Sequence, residues 1–137
     1  MDGYSGTTLT KKLGIKEGQV VLLVNQPKYY MKLFTDFPEQ VQMVKHPKPE
    51  TVDFIHAFYF TQNVMQSELS ELKPLLKKSG MIWVSWPKGS SKLETDLNRE
   101  IIRDYMLAEI RLVDVKVAAI DNDWSGLKFV YRLKDRI

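Results

Sequence analysis

The segment Val52-Asp53-Phe54-Ile55-His56-Ala57-Phe58-Tyr59-Phe60 decides the fold. It is the longest apolar run of the chain, and its β-branched and aromatic residues predict a strand that is buried on both faces. Residues 19–24 and 81–86 form shorter runs of the same kind. Strands of this type occur in sheets that helices cover on both sides. The three runs therefore predict a mostly parallel central sheet.

Segments with helical features alternate with these strands. Apolar residues recur at helical spacing over residues 62–78. We expect Lys77 and Lys78 to interact with the dipole at the end of this helix and Gly80 to stop it. A second helix is predicted over residues 95–109, with Thr95 as its N-cap. Two shorter helical segments are predicted as well, one within residues 1–16 and one over residues 27–34.

Three further strands complete the predicted sheet. Residues 113–121 and 127–133, which flank the five-residue loop 122–126, indicate an antiparallel hairpin. Residues 40–44 are short and half polar, as is typical of an edge strand. The connector 45–51 is shorter than a usual parallel crossover. Either it crosses without a helix, which we favour, or the edge strand is antiparallel.

The predicted fold class is therefore α/β, with three layers in a Rossmann-like arrangement. Its sheet is mostly parallel and ends in a C-terminal antiparallel hairpin. A chain of 137 residues, 44% of them hydrophobic, is expected to fold as one domain over residues 1–137. The order of elements shows no repeat and no linker.

Composition excludes several functional classes. The chain has no cysteine, so disulfides, thiolate nucleophiles and cysteine-ligated zinc are absent. Its net charge is +3, from 20 basic and 17 acidic residues that are dispersed along the chain, and this disfavours nucleic-acid binding. The start resembles no signal peptide and the apolar runs are only strand-length. We expect no membrane contact and a cytoplasmic location.

Several segments resemble known proteins. Residues 75–84, LLKKSGMIWV, form a predicted helix end, a glycine and a buried strand, and resemble the leucine, basic, proline, glycine, glycine bend of class I methyltransferases. The closing helix, strand and hairpin are similar too. Five segments together resemble an uncharacterised bacterial family of short domains of unknown function: GYSG (3–6), KLGIK (12–16), WVSWPK (83–88), TDL (95–97) and WSGLK (124–128). This resemblance implies a shortened methyltransferase-like fold and transfers no activity.

Two features that the methyltransferase resemblance implies are missing. Those enzymes carry a glycine-rich loop after the first strand, where the backbone approaches the methionine part of S-adenosylmethionine. Here residues 25–28 are Asn-Gln-Pro-Lys, and Pro27 lacks an amide hydrogen. An acidic residue that would hold the ribose is replaced by Lys45 and His46 after the second strand. We therefore predict no cofactor.

A ligand site is nevertheless expected outside the carboxyl ends of the strands, where the strand order reverses. The candidate ligand-binding residues are Asn25, Lys28, Thr61, Trp86, Lys88, Ser90 and Ser91, with Gln26, Gln62 and Asn63 beside them. Their amides, hydroxyls and cations, near a helix start, suit a phosphate or a carboxylate. Trp86 would form a wall. The alternative is that residues 88–92 are a solvated loop and that Thr95 and Asp96 only cap a helix.

The histidines and Ser85 indicate no catalytic site. His56 alternates with phenylalanines on a central strand, which predicts a neutral, hydrogen-bonded core residue. His46 lies in a proline-rich loop. Two histidines in no ligand spacing predict no metal site. No nucleophile elbow surrounds Ser85, and no catalytic residue is identified.

Two further groups have structural explanations. Asp121 and Asp123 are close in sequence, and turn formation explains them better than a carboxylate pair does. The aromatic residues Tyr4, Tyr29, Tyr30 and Trp124 lie near element ends and could form a protein-binding patch, although core packing is the commoner explanation.

Three functions follow from these observations. The first is a non-catalytic methyltransferase-like module that binds a partner protein or a small anionic ligand. The alternative is a small S-adenosylmethionine-dependent or other transferase enzyme with an atypical cofactor loop. A nucleic-acid binder comes third.

Overall fold

The sheet and its helices are seen in a computed structural model, which describes residues 7–137. Among these residues the strands are β1 (Val20–Val24), β2 (Gln42–Val44), β3 (Val52–Phe58), β4 (Leu76–Pro87), β5 (Leu112–Ala119) and β6 (Trp124–Tyr131). The α-helices are α1 (Leu9–Leu13), α2 (Gln62–Leu72) and α3 (Arg99–Tyr105). The strands form a single sheet in the order β2-β1-β3-β4-β6-β5.

The direction of the strands confirms the predicted fold class. Strands β2, β1, β3 and β4 pair in parallel, whereas β6 is antiparallel to both β4 and β5. The edge strand β2 is parallel to β1, with Val20 opposite Gln42. Residues 45–51 therefore cross from β2 to β3 without a helix, as we favoured.

Both faces of the sheet are covered. On one face Ile55 and Ala57 of β3 belong to a core that includes Met65 and Leu69 of α2 and Ile102 of α3. On the other face Phe54, Phe58 and Trp83 pack with Leu13 of α1 and with Tyr30. Because neighbouring residues of a strand point to opposite faces, burial on both sides requires a continuous apolar run.

The helix that we predicted over residues 62–78 is shorter than expected. Helix α2 ends at Leu72, a 3₁₀ turn covers Lys73–Leu75, and β4 already begins at Leu76. Pro74 lies in that turn, and a proline cannot donate the amide hydrogen bond that would continue the helix.

The predicted roles of Lys77, Lys78 and Gly80 at a helix end are consequently wrong. All three residues lie in β4. The ammonium of Lys77 is 3.0 Å from a carboxylate oxygen of Asp53 on the neighbouring strand β3. Gly80 is buried, where the chain passes close to the Asp53 carbonyl.

The helix predicted over residues 95–109 begins later. Helix α3 starts at Arg99, and a π-helical turn, Met106–Ile110, extends it close to the expected end. Asn98 is the N-cap, since its side-chain oxygen accepts a hydrogen bond from the Ile101 amide at 2.9 Å. The assignment of Thr95 as N-cap is therefore wrong, because its hydroxyl donates to the Phe60 carbonyl at 2.7 Å.

The remaining predictions differ mainly at element ends. The N-terminal helix is confirmed as α1, with the Thr8 hydroxyl accepting from the Lys11 amide and Gly14 in a left-handed conformation at φ 84°. The expected helix over residues 27–34 is one 3₁₀ turn, Tyr30–Leu33. Strand β3 ends at Phe58, and β6 begins at Trp124, inside the predicted loop. Residues 1–6 of the predicted N-terminal segment lie outside the described residues, and the single domain stays a prediction.

Candidate functional site

The strand order reverses between β1 and β3. The chain leaves β1 for β2 on one side and then returns to β3 on the other side. Val24, at the end of β1, lies opposite Ala57 near the end of β3. The loop 25–28 and residues 59–61 therefore leave the sheet side by side, which is where a ligand site was expected.

A cavity of about 340 Å³ opens at this point, and we call it the switch-point cavity. It is lined by Asn25, Phe58, Tyr59, Phe60, Thr61 and Val64. Two apolar side chains at this cavity are unusually exposed, Phe60 at 45% and Val64 at 44%. A mostly apolar lining with a few polar groups is typical of small-molecule sites, and so is this volume.

Asn25 has a left-handed backbone directly after β1, with φ 57°. Asparagine tolerates this conformation better than most residues other than glycine. Its side-chain amide donates to a carboxylate oxygen of Glu68 on α2 at 3.0 Å. The loop thus keeps a turn of the kind that glycine usually provides, although the sequence has no glycine there. The sequence did not reveal this turn, because the absence of glycine was taken to exclude a left-handed residue, and asparagine can adopt that conformation too.

Tyr59 carries a buried polar atom at the same place. The residue is 1% exposed, and its hydroxyl makes no hydrogen bond within 3.5 Å to another described residue. Burial and, to a smaller extent, the nearby Glu68 carboxylate raise its pKa. The hydroxyl therefore stays protonated at neutral pH, and the Glu68 carboxylate is the acceptor that lies near it.

A second cavity, the β1–β2 cavity, lies on the other side of β1. It measures about 300 Å³ and is lined by Leu22, Leu23, Gln26, Met43, Val44 and Lys45. Asn25 and Gln26 are adjacent in sequence and border the two cavities, so one loop separates them. No carboxylate is among these lining residues, and Lys45 stands at the end of β2 as the sequence indicated.

A larger, open cavity of about 650 Å³ lies beside the segment that follows β4, and we call it the loop cavity. It brings together three of the predicted residues, Thr61, Lys88 and Ser91. The carboxylates of Glu94 and Asp96 line it as well. The Ser91 hydroxyl is already bound, since it donates to Asp123 at 2.9 Å.

The start of α2, which was expected to attract an anion, is bound by a carboxylate side chain of the protein itself. The Asp96 carboxylate accepts a hydrogen bond from the Gln62 amide at 2.8 Å. Asp96 therefore caps a helix, in agreement with the structural alternative given for Thr95 and Asp96. That helix is α2, however, and not α3. Anion binding at the loop cavity stays a prediction. The carboxylates of Glu94 and Asp96, which line this cavity, disfavour it.

The other predicted site residues are placed differently. Asn25 and Thr61 meet at the switch-point cavity, and Thr61 also borders the loop cavity. Lys28 and Ser90 are exposed and line none of the three cavities described above. Trp86 is 7% exposed and belongs to the core on the α2 face.

His56 forms a buried polar chain with two other side chains. Its Nδ1 is 2.9 Å from the Tyr30 hydroxyl, and its Nε2 is 2.8 Å from the Ser85 hydroxyl. Burial lowers the pKa of His56 to about 3, so the ring is neutral at physiological pH. The prediction of a neutral, hydrogen-bonded core histidine is confirmed. Ser85 and His56 are both 0% exposed and are therefore closed to substrate.

The acidic and aromatic residues of the tail are structural. One oxygen of Asp121 accepts from the amides of Asp123 and Trp124, at 2.8 and 2.9 Å, and this forms the turn that was predicted. Trp124 and Tyr30 are buried in the core, whereas Tyr29 is 37% exposed and donates to Asp121. Tyr4 lies outside the described residues.

Residues 7–137 contain neither a cluster of metal ligands nor a membrane-spanning helix. No group of three or more histidine, aspartate or glutamate side chains is arranged to hold a metal ion in this part of the chain. Its helices are all too short or too polar to cross a membrane.

Known structures share this fold. A SAM dependent methyltransferase from Aquifex aeolicus superposes with a TM-score of 0.59 at 17% identity, over 88% of this chain and 86% of that one. A putative type 11 methyltransferase from Sulfolobus solfataricus gives 0.62 at 18% identity, over 93% and 91%. A 1,6-didemethyltoxoflavin-N1-methyltransferase from Burkholderia thailandensis gives 0.53 at 12% identity, over 88% and 73%.

The chain thus has the Rossmann-like fold of class I methyltransferases, as the resemblance implied. No protein-family model matches it, and no curated protein matches its sequence. The resemblance to an uncharacterised bacterial family therefore stays a prediction.

Proposed function

We propose that this chain is a small S-adenosylmethionine-dependent transferase that binds its cofactor at the switch-point cavity. This is the alternative that the sequence left open, and the similarity of the fold to known methyltransferase structures favours it over a non-catalytic module. The observation that carries the proposal is the left-handed backbone of Asn25, directly after β1 and beside a cavity of about 340 Å³.

The lining of the switch-point cavity suits a cation that is surrounded by apolar groups. Phe58, Tyr59 and Phe60 line the cavity, with Phe60 the exposed one of the three, and Glu68 holds the Asn25 side chain. Aromatic faces and a nearby carboxylate both stabilise a positive charge. S-adenosylmethionine, when bound, supplies a methyl group on a positively charged sulfur. The buried Tyr59 hydroxyl, which makes no hydrogen bond within 3.5 Å, would donate a hydrogen bond to the ligand after a small side-chain movement.

The β1–β2 cavity would hold the rest of the cofactor, without the acidic residue that class I methyltransferases use there. Gln26 lines the β1–β2 cavity next to Lys45. A side-chain amide both donates and accepts hydrogen bonds and could therefore bind ribose hydroxyls. Gln26 would thus take the role that a carboxylate after the second strand has in class I methyltransferases.

The same cavity restricts the acceptor substrate. Neither a histidine nor a carboxylate is among the residues that line it, and Tyr59 stays protonated. The nearest carboxylate, Glu68, already accepts a hydrogen bond from the Asn25 side chain, and none of the lining residues is a general base. We therefore propose an acceptor that is nucleophilic without enzymatic deprotonation, such as an imine-type nitrogen or a thiolate.

Calorimetry with S-adenosylmethionine and S-adenosylhomocysteine tests the proposal. We expect binding in the micromolar range, which corresponds to about −8 kcal/mol. Asn25→Gly keeps access to the left-handed conformation and should bind within about threefold of the parent. Asn25→Val should weaken binding at least about tenfold, because a β-branched residue is strained at positive φ.

Arg111→Val is the matched control. Arg111 also has a left-handed backbone, at φ 64°, and lies before β5 at the opposite end of the sheet from the crevice. It should lose stability as Asn25→Val does and keep its affinity. Absence of binding to a folded parent protein, or equal affinity losses in the two valine variants, would contradict the proposal.

The second candidate is the non-catalytic module that binds a partner or a small ligand. It is favoured by one observation, that Lys45 and His46 stand where the resemblance places a ribose-binding acid. This candidate predicts no heat with either adenosyl compound at ligand concentrations up to the millimolar range. The same calorimetry therefore separates the two functions.

A further inference from the structure

Three lysines from distant parts of the chain meet beside α1. They are Lys16, which follows α1, Lys116 on β5 and Lys128 on β6; the charges of Lys116 and Lys16 both act on Lys128, and we call the three the lysine cluster. Lys116 lies directly opposite Lys128, and Lys128 lies directly opposite Trp83 of β4. Directly opposed residues share a face of the sheet. The Trp83 indole donates to the Leu13 carbonyl of α1 at 2.8 Å, so this is the face that α1 covers.

A bulge in β5 turns Lys116 onto this face. Asp114 is opposite Phe129, whereas Lys116 is opposite Lys128, and the register shifts between them. Since Phe129 and Lys128 are neighbours on β6, Asp114 and Lys116 point to opposite faces. Asp114 pairs with Arg103 at 3.1 Å on the other side of the sheet. The bulge thus separates Lys116 from the carboxylate two residues before it.

The arrangement is electrostatically unfavourable without a counter-ion. Like charges directly opposite each other destabilise a strand pair. Burial, followed by the charges of Lys116 and Lys16, lowers the pKa of Lys128. The Lys116 ammonium is held in place, since it donates to the Lys12 carbonyl at 3.0 Å. A bound anion would remove the repulsion between these positive charges.

Space for a ligand adjoins Lys116. A cavity of about 410 Å³ is lined by Thr7, Lys12, Lys116, Val117, Ala118 and Ala119, so that Lys116 is the one member of the cluster in its wall, and no carboxylate is among these described residues. Two strands, β4 and β6, lie between this edge of the sheet and β3. The lysine cluster is therefore separate from the switch-point cavity, and neither site depends on the other.

We propose that the lysine cluster binds a small molecule through a multiply charged phosphate group, such as a diphosphate. Three ammonium groups match the charge of a diphosphate better than that of a single carboxylate, and lysine binds phosphate as a point charge. Nucleic acid is the less suitable source of phosphate, because it requires a long basic surface and the remaining basic residues are dispersed.

Melting temperatures measured with sodium pyrophosphate, against sodium chloride of equal ionic strength, test this site. We expect pyrophosphate to raise the melting temperature by at least about 2 °C, because a ligand that binds only the folded state stabilises it. Lys116→Gln and Lys128→Gln should each remove most of this rise. Their melting temperatures in chloride report whether they fold. Loss of a like-charge neighbour should leave that of Lys128→Gln equal or higher, whereas Lys116→Gln also loses the hydrogen bond to the Lys12 carbonyl.

Two lysine variants elsewhere serve as controls. Lys48→Gln, in the exposed connector 45–51, should keep the full response. Lys88→Gln tests the loop cavity, where anion binding is a separate prediction, and it should keep the response because pyrophosphate binds at the lysine cluster. The proposal is overturned if pyrophosphate acts no more strongly than chloride, if both cluster variants keep the response, or if Lys88→Gln removes it.

A polarisation assay with a short labelled DNA duplex at physiological ionic strength distinguishes the source of phosphate. We expect no binding of the duplex. Duplex binding that Lys116→Gln and Lys128→Gln abolish, together with no response to pyrophosphate, would overturn the small-molecule site in favour of a nucleic-acid surface.

Discussion

The carboxylate of Asp96 caps the helix that begins at Gln62, with 2.8 Å between its oxygen and the Gln62 amide nitrogen. The Gln62 side chain returns the contact by donating to the Asp96 carbonyl at 3.2 Å. The Thr61 hydroxyl accepts from the Val64 amide at 3.3 Å. Side chains from two parts of the chain thus bind amides that the first turn of a helix leaves without partners.

Loss of this cap should cost stability. We expect Asp96→Ala to lower the free energy of unfolding by about 1 kcal/mol, because it removes the acceptor of the Gln62 amide, and a capping hydrogen bond at a helix start contributes about that much. Urea denaturation measures it. Glu94→Ala, an exposed acidic neighbour in the same cavity wall, is the control and should change stability by less than about 0.5 kcal/mol. Equal losses in the two variants would contradict the capping role.

The buried histidine should make stability depend on pH. Burial lowers the pKa of His56 from 6.5 to about 3. Between these values the unfolded chain binds a proton at His56 that the folded protein does not bind. The free energy of unfolding should therefore be unaffected by this group above pH 6.5 and should fall as the pH drops towards 3.

Denaturation curves of the parent and of two glutamine variants between pH 4 and pH 7 check the role of His56. In His56→Gln the free energy of unfolding should depend less steeply on pH, by up to the equivalent of about one bound proton. His46→Gln removes an exposed histidine and should keep the parent's slope. A parent slope that His56→Gln retains would show that other groups cause the pH dependence.

Gly80 is required by a close approach within the sheet. A Cβ atom at this position would lie 2.8 Å from a Leu76 methyl carbon and 2.9 Å from the backbone oxygen of Asp53. Because backbone cannot move aside easily, Gly80→Ala should destabilise the protein by about 1–3 kcal/mol. Gly89→Ala is the control, since nothing lies within 4 Å of a Cβ there. Thermal denaturation of both variants decides the question.

Asp53 should matter more than its ion-pair partner Lys77. One oxygen of Asp53 accepts from the Val20 amide at the start of β1, at 2.8 Å, and the other is 3.0 Å from the Lys77 ammonium. Asp53→Ala leaves a partly buried amide unpaired and should cost about 1–3 kcal/mol. Lys77→Ala breaks only a half-exposed ion pair and should cost less than about 1 kcal/mol. The reverse order in chemical denaturation would refute this assignment.

The sequence alone was sufficient for the fold class. The runs around Val21, Ile55 and Val84 are almost continuously apolar, interrupted only by Asp53, His56 and Ser85, and only a sheet covered on both faces buries such strands completely. Asn25 and Thr61 could also be placed at one crevice from the sequence, because parallel strands end at the same edge of the sheet. The errors lay at element ends: Leu75 and Leu76 continue the helical spacing of α2, although Pro74 stops the helix and Leu76 begins a strand.

Contacts between distant residues were decided only by the tertiary structure. Asp96 is 34 residues from Gln62, His56 is 29 from Ser85, and neither pair has a sequence signature. The left-handed turn at Asn25 and the opposition of Lys116 and Lys128 were equally hidden. Capping and periodicity act over a few neighbouring residues, so sequence reports them directly. Which side chains meet across the molecule depends on strand order, register and bulges, and these are fixed only when the whole sheet packs.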